Sequence, residues 1–191
     1  MKKIEIKEFG GPEVLEIKNV DIGKPGQNEV LVKNLSIGIN YIDTYHRSGL
    51  YPIPLPSGIG LEAGSIIEEV GSEVKLFKVG DRVTRASMPI GTYSEKQIIT
   101  EDKLVKVPDN ISDEVASCIT LKGITAEYLL HRTYQVKKGD KILYHAAAGA
   151  LGQIFCPWAN ALGAEIIGTV GSDEKIEIAK KNGCHHIINY N

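Results

Sequence analysis

Residues 141–170 read KILYHAAAGALGQIFCPWANALGAEIIGTV. Ile142, Leu143 and Tyr144 form an apolar run of the length a buried parallel strand needs, and the chain then passes through Ala146-Ala147-Ala148-Gly149-Ala150-Leu151-Gly152 before helix-forming residues begin. The helix is expected to end near Leu162, with Gly163 as its left-handed stop, and Ala164 to Val170 supplies a second apolar strand. Parallel strands need a crossover of this kind, so the stretch reads as a βαβ unit. Pro157 lies inside the expected helix, deletes the hydrogen bond to the Gln153 carbonyl, and predicts a kink there.

The turn matters because the start of a helix presents unpaired N–H groups and a partial positive charge, which a diphosphate can reach if no side chain blocks it. Ala146, Gly149 and Gly152 stand at the constrained positions of the dinucleotide fingerprint in the variant A-x-x-G-x-x-G, with Ala147, Ala150 and Leu151 lining the same turn. The turn alone is a weak signal, since plain helix-on-sheet packing is also open to it; the two flanking strands strengthen the nucleotide reading. An NAD site places a carboxylate at the end of the second strand for the ribose 2′-OH, but Gly168-Thr169-Val170-Gly171 supplies none, and Ser172 and Lys175 follow. Lys175 falls in the first turn of the next helix, expected to be capped by Ser172, where a cation opposes the helix dipole and a 2′-phosphate would offset that cost. NADPH is the expected cofactor, and Asp173 keeps NAD open as the alternative.

The chain of 191 residues is long enough for a real core, and 42% hydrophobic with 24% charged residues is the balance of an ordinary globular protein. A net charge of −2 with dispersed lysines gives no footprint for nucleic acid, so none is expected as a partner. The start, MKKIEIKEFGG, has no apolar core of signal-peptide length and no later run approaches a membrane span, which predicts a cytoplasmic protein with no membrane partner. Cys118, Cys156 and Cys184 are odd in number, widely spaced and without C-x-x-C, so all three are expected to be small buried apolar residues. His185 and His186 would face opposite sides of a strand, and His46, His131 and His145 have no partner at ligand spacing, so no metal site is expected.

Upstream, Ile4 and Ile6 alternate with charges, Gly10-Gly11-Pro12 turns the chain, and Val14 to Ile17 returns as the hairpin partner. Glu29 to Leu35 reads as a third strand, Tyr41 to Arg47 as a short polar-aromatic segment, and Ser48 to Pro56 as a proline-rich loop. Ser65 to Val70, the run entered by Gly80-Asp81, Gly91 to Thr100 and Lys103 to Val107 add further strands, which together predict a Greek-key or barrel-like β domain. At Ser112 the period changes to helical and continues to Tyr134. The domain boundary is expected near residues 110 to 125, dividing a β-rich domain over 1–120 from a nucleotide domain over 121–191. Asp173 to Asn182 reads as a helix stopped by Gly183, and Ile187-Ile188 begins a third parallel strand, so only the first mononucleotide half of a doubly wound sheet is encoded.

Gly10-Gly11-Pro12-Glu13-Val14-Leu15, Asn40 to Tyr45 with Arg47 to Tyr51, Gly80-Asp81-Arg82-Val83, Lys122 to Thr125, His145 to Gly152 and Ile188-Asn189-Tyr190 occur in family order. Together they resemble the zinc-independent quinone oxidoreductases, the zeta-crystallin type, of the medium-chain dehydrogenase/reductase family. The resemblance covers the whole chain but only a little more than half of a typical member, as in a C-terminally truncated one. It implies a GroES-like β-rich catalytic domain followed by the first half of a Rossmann doubly wound parallel sheet. It also implies NADPH with a small-molecule quinone as substrate. In relatives the diphosphate lies over the segment matching Ala146 to Gly152, and the 2′-phosphate near positions matching Gly171, Ser172, Lys175 and Tyr190. Thr125 and Asn40 match residues along the cofactor, and Tyr45 and Tyr51 match residues lining the quinone pocket. Zinc-dependent cousins carry a Cys at Asn40 and a His at Leu61, so the resemblance implies no catalytic metal.

Hydride transfer to a quinone can proceed without a metal if the protein orients the donor and supplies hydrogen bonds to the developing quinol oxygens. Tyr45 is the first choice for such a donor, with Tyr51 and Asn40 beside it; each tyrosine can equally be loop packing. Asp43 and Arg47 are expected to pair with each other or be solvated, and Glu62 to be a hydrogen-bonded turn residue. Homodimers of full-length relatives form through Rossmann edge strands that this chain does not contain. Two other readings stay open: a non-catalytic NADPH-binding or structural fragment, and an NADPH-dependent enoyl reductase, in which a proton donor becomes necessary.

Overall fold

Alternation of apolar and charged residues turns one face of the first strand inward, and a computed structural model describing residues 1–191 carries this through as β1 (Lys2–Ile6). The remaining elements of the β-rich part are β2 (Glu16–Asn19), β3 (Glu29–Gly38), α1 (Tyr41–Ser48), β4 (Ser57–Gly58), β5 (Glu62–Val70), β6 (Arg82–Ala86), β7 (Lys96–Thr100) and β8 (Val105–Lys106). Then follow α2 (Asp113–Tyr128), β9 (Lys141–Tyr144), α3 (Gly152–Ala161), β10 (Glu165–Val170), α4 (Glu174–Lys181) and β11 (His186–Asn189). The chain divides into two compact units, Met1–Leu121 and Lys122–Asn191.

In the first unit, β1 pairs antiparallel with β2 from Lys2↔Asn19 to Glu5↔Glu16, the expected hairpin, and with β4 on its other side. The larger antiparallel sheet runs in the order β7-β3-β5-β6-β8 and is built on the ten-residue strand β3. Val30, Val32, Ile67, Val83, Ile99 and Leu104 fill its core. Each such side chain contributes about 1.5–3 kcal/mol by leaving water.

Two expected strands are shorter than their apolar runs. Gly91 to Glu95 stays outside β7 because Gly91, Tyr93 and Glu95 donate instead to the carbonyls of Gly60, Ile59 and Lys2. Glu101–Lys103 coils into a 3-10 turn and leaves only Val105–Lys106 in β8. Tyr41 to Arg47, expected only as a short polar-aromatic segment, forms the helix α1, which also takes in Ser48 from the expected loop. Its β-branched and aromatic residues have modest helix propensity, and capping supports it: Gly49 closes it at φ 81°, and the Asp43 carboxyl reaches back to the Asn40 N–H at 2.9 Å.

The first turn of α2 is fixed to the sheet by polar contacts. Ser112 caps it through Oγ to the Val115 N–H at 3.3 Å, and Arg82 holds both Asp113 Oδ1 (2.9 Å) and the Ile111 carbonyl (2.6 Å). A side chain at Gly38 would collide with the Ser117 carbonyl, and one at Gly64 would come within 2.6 Å of the Asp113 carbonyl, so strand and helix approach at the two glycines. The regular α-helix ends at Tyr128, six residues before the expected limit at Tyr134, and Leu129–Thr133 widens into a π-helical turn.

The second unit is a parallel sheet in the order β11-β10-β9, with α3 and α4 as crossovers. Ile166, Val170, Phe155, Cys156, Ala159, Ala179 and Leu130 are its buried core, and Tyr144 stacks on Phe155 at 4.3 Å. Gly163 and Gly183 end the two helices at φ 87° and 86°, as the sequence predicts. α3 continues through Pro157, which is exposed along with Gln153, so the carbonyl without a helical partner is left to water.

The cysteines do not all behave as expected. Cys156 and Cys184 are buried, but Cys118 lies on the exposed face of α2. Burial pushes the Cys156 thiol up to about 12 and raises Cys184 as well. A thiol reagent at pH 8 is therefore expected to modify Cys118 in the native chain while Cys156 and Cys184 react about 100-fold more slowly until denaturant is added. Stoichiometric reaction of all three thiols in the native chain would contradict this packing.

Candidate active site

The turn between β9 and α3 is held by a few backbone bonds. Ala146 adopts φ 55°, the one non-glycine residue with positive φ in the chain, and its carbonyl accepts from the Gly149 N–H at 2.8 Å. The Ala147 N–H donates to the Thr169 carbonyl at 3.0 Å, fixing the turn to the end of β10, and Asn182 Nδ2 donates to the Ala147 carbonyl at 3.2 Å. A side chain at Gly152 would run into the carbonyls of Ala147 and Ala146, so the first residue of α3 has to be glycine. The N–H groups of Ala148, Ala150, Leu151 and Gly152 make no backbone hydrogen bond, and α3 starts without a side-chain cap. Ala146, Gly149 and Ala150 are exposed. Small side chains, an open surface and several uncommitted donors at a helix start are the features a diphosphate requires.

At the end of β10 the structure brings Gly171, Ser172 and Tyr190 together. A side chain on Gly171 would lie 2.7 Å from the Tyr190 hydroxyl, and the Tyr190 N–H donates to the Val170 carbonyl at 3.1 Å. Lys175 is exposed on the first turn of α4. Ser172 does not cap that helix. The cap is Asp173, which makes no side-chain cap bond; its Oδ1 accepts instead from Asn189 Nδ2 at 2.7 Å. That bond uses only Oδ1, and Asp173 remains exposed. Thr125 is half-buried on α2.

Beside the turn, His145 Nδ1 shares a hydrogen bond of 3.1 Å with Thr169 Oγ1. His185 Nδ1 accepts from the Ile166 N–H at 3.0 Å, and His186 pairs with Glu165 at 2.9 Å. His186 and Lys141 together hold the Glu165 carboxyl below its usual range.

In the first unit, Tyr45 and Tyr51 meet edge to face at 5.2 Å, and Tyr41 meets Tyr45 at 5.6 Å. The Tyr51 N–H donates to the Tyr45 carbonyl at 3.1 Å, so the loop after α1 folds back onto it. Asn40 starts the same helix and is buried, its Nδ2 donating to Glu62 Oε2 at 2.9 Å. Glu62 itself is 0% exposed, and its other oxygen accepts from the Leu121 N–H at 2.7 Å. It opens β5 and is no turn residue.

Asp43 and Arg47 do not pair. Asp43 Oδ2 accepts from the Tyr93 hydroxyl at 2.9 Å, and Arg47 Nε donates to the Gly10 carbonyl at 3.2 Å. Burial raises both the Asp43 carboxyl and the Tyr93 hydroxyl. Sequence reasoning overlooked Tyr93 and the role of Asp43. The spacing Asn40-x-x-Asp43 is a capping-box pattern and was the available signal for the latter. No group of three or more His, Cys, Asp or Glu side chains converges in a way that could hold a metal ion.

Comparison with known proteins identifies relatives of the chain in sequence and fold. Residues 26–138 match the family model described as alcohol dehydrogenase GroES-like domain, and residues 150–191 match the one described as zinc-binding dehydrogenase. A quinone oxidoreductase of Pseudomonas aeruginosa is 52% identical over 190 residues, which are 99% of this chain and 58% of the relative. A 2-haloacrylate reductase of a Burkholderia species is 47% identical over 192 residues, 97% of this chain and 57% of the relative. Among solved structures, Escherichia coli quinone oxidoreductase complexed with NADPH superposes with a TM-score of 0.96 at 50% identity, covering 100% of this chain and 59% of that one. The chain therefore spans somewhat more than half the length of the proteins it matches.

Glu62 offers a direct test of the polar arrangement. Replacing Glu62 by Gln leaves either Asn40 Nδ2 or the Leu121 N–H facing a second donor. The expected loss is about 1–3 kcal/mol, read as a lower denaturant midpoint with an unchanged m-value. An unaltered midpoint would show that these donors are not held by the Glu62 carboxyl.

Proposed function

The chain belongs to the zinc-independent quinone-oxidoreductase group of the medium-chain dehydrogenase/reductase family, and on that premise we propose that it serves NADPH-dependent reduction of a quinone. The observation carrying the proposal is the turn from Ala146 to Gly152, with its uncommitted amides and its mandatory glycine. Ala146, Ala147, Gly149, Ala150, Leu151 and Gly152 would form the diphosphate seat. Gly171, Ser172, Lys175 and Tyr190 would surround the 2′-phosphate, where the Lys175 ammonium favours the phosphorylated ribose. Asn40 and Thr125 would contact the cofactor further along.

Bound NADPH would supply a hydride, and the residues of the chain would orient the acceptor and hold its polar ends. The Tyr45 hydroxyl is the first candidate to donate to a developing quinol oxygen, with Tyr51 packed against it and Asn40 as the other donor. Two-electron reduction of a quinone needs only hydride and proton delivery, so no Lewis acid is required by this chemistry.

A second reading is an activated carbon–carbon double bond as acceptor, favoured by the likeness to the 2-haloacrylate reductase. Tyr45 would then act as the proton donor. Domain boundaries follow the same proposal, a catalytic domain over 1–120 and a partial nucleotide domain over 121–191.

The test is a titration followed by the fluorescence of Trp158, which sits half-buried on α3 with its ring 5.5 Å from His131. NADPH is expected to change the signal at lower concentration than NADH. Lys175→Ala should weaken NADPH about tenfold, the worth of one charge-assisted hydrogen bond, and leave NADH unchanged. Equal response to both nucleotides would remove the 2′-phosphate assignment. Loss of NADPH absorbance with a quinone but not with 2-chloroacrylate selects the first reading; the reverse selects the second. Binding without turnover of either would leave a nucleotide-binding module.

A further inference from the structure

Four hydrogen bonds run in series through the first unit. The Tyr93 hydroxyl donates to Asp43 Oδ2 (2.9 Å), and the same oxygen accepts from the Asn40 N–H (2.9 Å). Asn40 Nδ2 then donates to Glu62 Oε2 (2.9 Å), and Glu62 Oε1 accepts from the Leu121 N–H (2.7 Å). The series joins the segment before β7 to α1, β5 and α2. Asn40 is its one member that the proposed function puts against the cofactor, and it is gripped at two points, backbone and amide.

We propose that Tyr93, acting through Asp43, is a positioning residue that sets the orientation of Asn40 at the nicotinamide cofactor. The proposal deepens the functional reading above and rests on it. Asp43 is 3% exposed, and both of its bonds fall on Oδ2 while Oδ1 has no protein partner. Losing the Tyr93 hydroxyl therefore leaves one donor on a buried carboxyl that already caps α1 at the Asn40 N–H.

The charged and titratable groups facing Asp43 are few. His46 on α1 favours its ionised form, Glu62 on β5 opposes it, and Arg47 acts on Tyr93. No other charge can substitute for the hydroxyl.

Tyr93 is also held in place from behind. A side chain at Gly60, which sits at φ 99°, would strike the Tyr93 ring and Thr92 Oγ1. Arg85, 2% exposed and without a carboxylate partner, donates to the carbonyls of Ser87 (2.9 Å) and Pro89 (2.7 Å) and to Gln97 Oε1 (2.7 Å). A buried cation that gives up its counter-charge is costly, and here its donors fix the chain on either side of Tyr93.

The test is nuclear magnetic resonance on the full chain, first without ligand. In Tyr93→Phe the Asn40 backbone and side-chain N–H groups are expected to exchange with solvent about tenfold faster than in the parent chain. The Asp43 carboxyl should titrate higher, because a donor that favours the ionised form is gone. Asp43→Ala, which leaves no acceptor for either bond, should reproduce the faster exchange with no carboxyl titration, and it carries the test if Tyr93→Phe fails to fold. Ile67→Val, a core change remote from the series, should leave the Asn40 signals alone, which separates positioning from general loosening.

Unchanged Asn40 exchange in Tyr93→Phe or Asp43→Ala overturns the proposal. NADPH affinity is then measured: about tenfold weakening in Tyr93→Phe supports the full proposal. Faster Asn40 exchange with parental NADPH affinity overturns the assignment of Asn40 to the cofactor, and a parent chain that binds no NADPH overturns the functional reading, in both cases independently of the exchange result.

Discussion

An alanine held at φ 55° works against its own side chain, at a cost of about 1–2 kcal/mol, and persists only where its surroundings fix it. Ala146 is fixed by the Gly149 N–H on its own carbonyl and by the Ala147 N–H on the Thr169 carbonyl. That one backbone conformation turns the chain from β9 into α3 in so few residues that the amides of Ala148, Ala150, Leu151 and Gly152 finish without backbone partners. The rest of the second unit serves it: β10 supplies the anchoring carbonyl, and Asn182 after α4 steadies the Ala147 carbonyl. Strain, small side chains and open donors occurring together mark a binding surface far better than any of them singly.

The first unit is organised by a comparable constraint at Glu62. A carboxyl with no exposure must be met by donors, and Asn40 Nδ2 and the Leu121 N–H meet it from two different helices. Because one donor starts α1 and the other lies on α2, the same buried group fixes where both helices stand on the sheet.

What could be read from the sequence was local. The βαβ unit was legible because apolar runs, the Ala/Gly turn and the stops at Gly163 and Gly183 are each encoded within a few residues of where they act. The Ser112 cap was legible for the same reason. α1 was missed although its Asn40-x-x-Asp43 box and Gly49 stop are local, because its β-branched and aromatic residues have modest helix propensity; the Tyr93 hydroxyl on Asp43, fifty positions away, was out of reach. Glu62 was misread as a turn residue because its partners are 22 and 59 positions distant. Ser172 has no capping role because α4 starts at Glu174, one residue later than a Ser172 cap requires. Cys118 was assigned to the interior on residue type alone, and the face of α2 that carries it points to solvent.

The central claim is that the amides opening α3 receive a diphosphate. The most direct measurement is a backbone 1H–15N spectrum of the full chain titrated with NADPH. The account predicts saturable shifts, the largest of them at Ala148, Ala150, Leu151 and Gly152. Saturable binding with those four amides unmoved and the shifts lying elsewhere would contradict it.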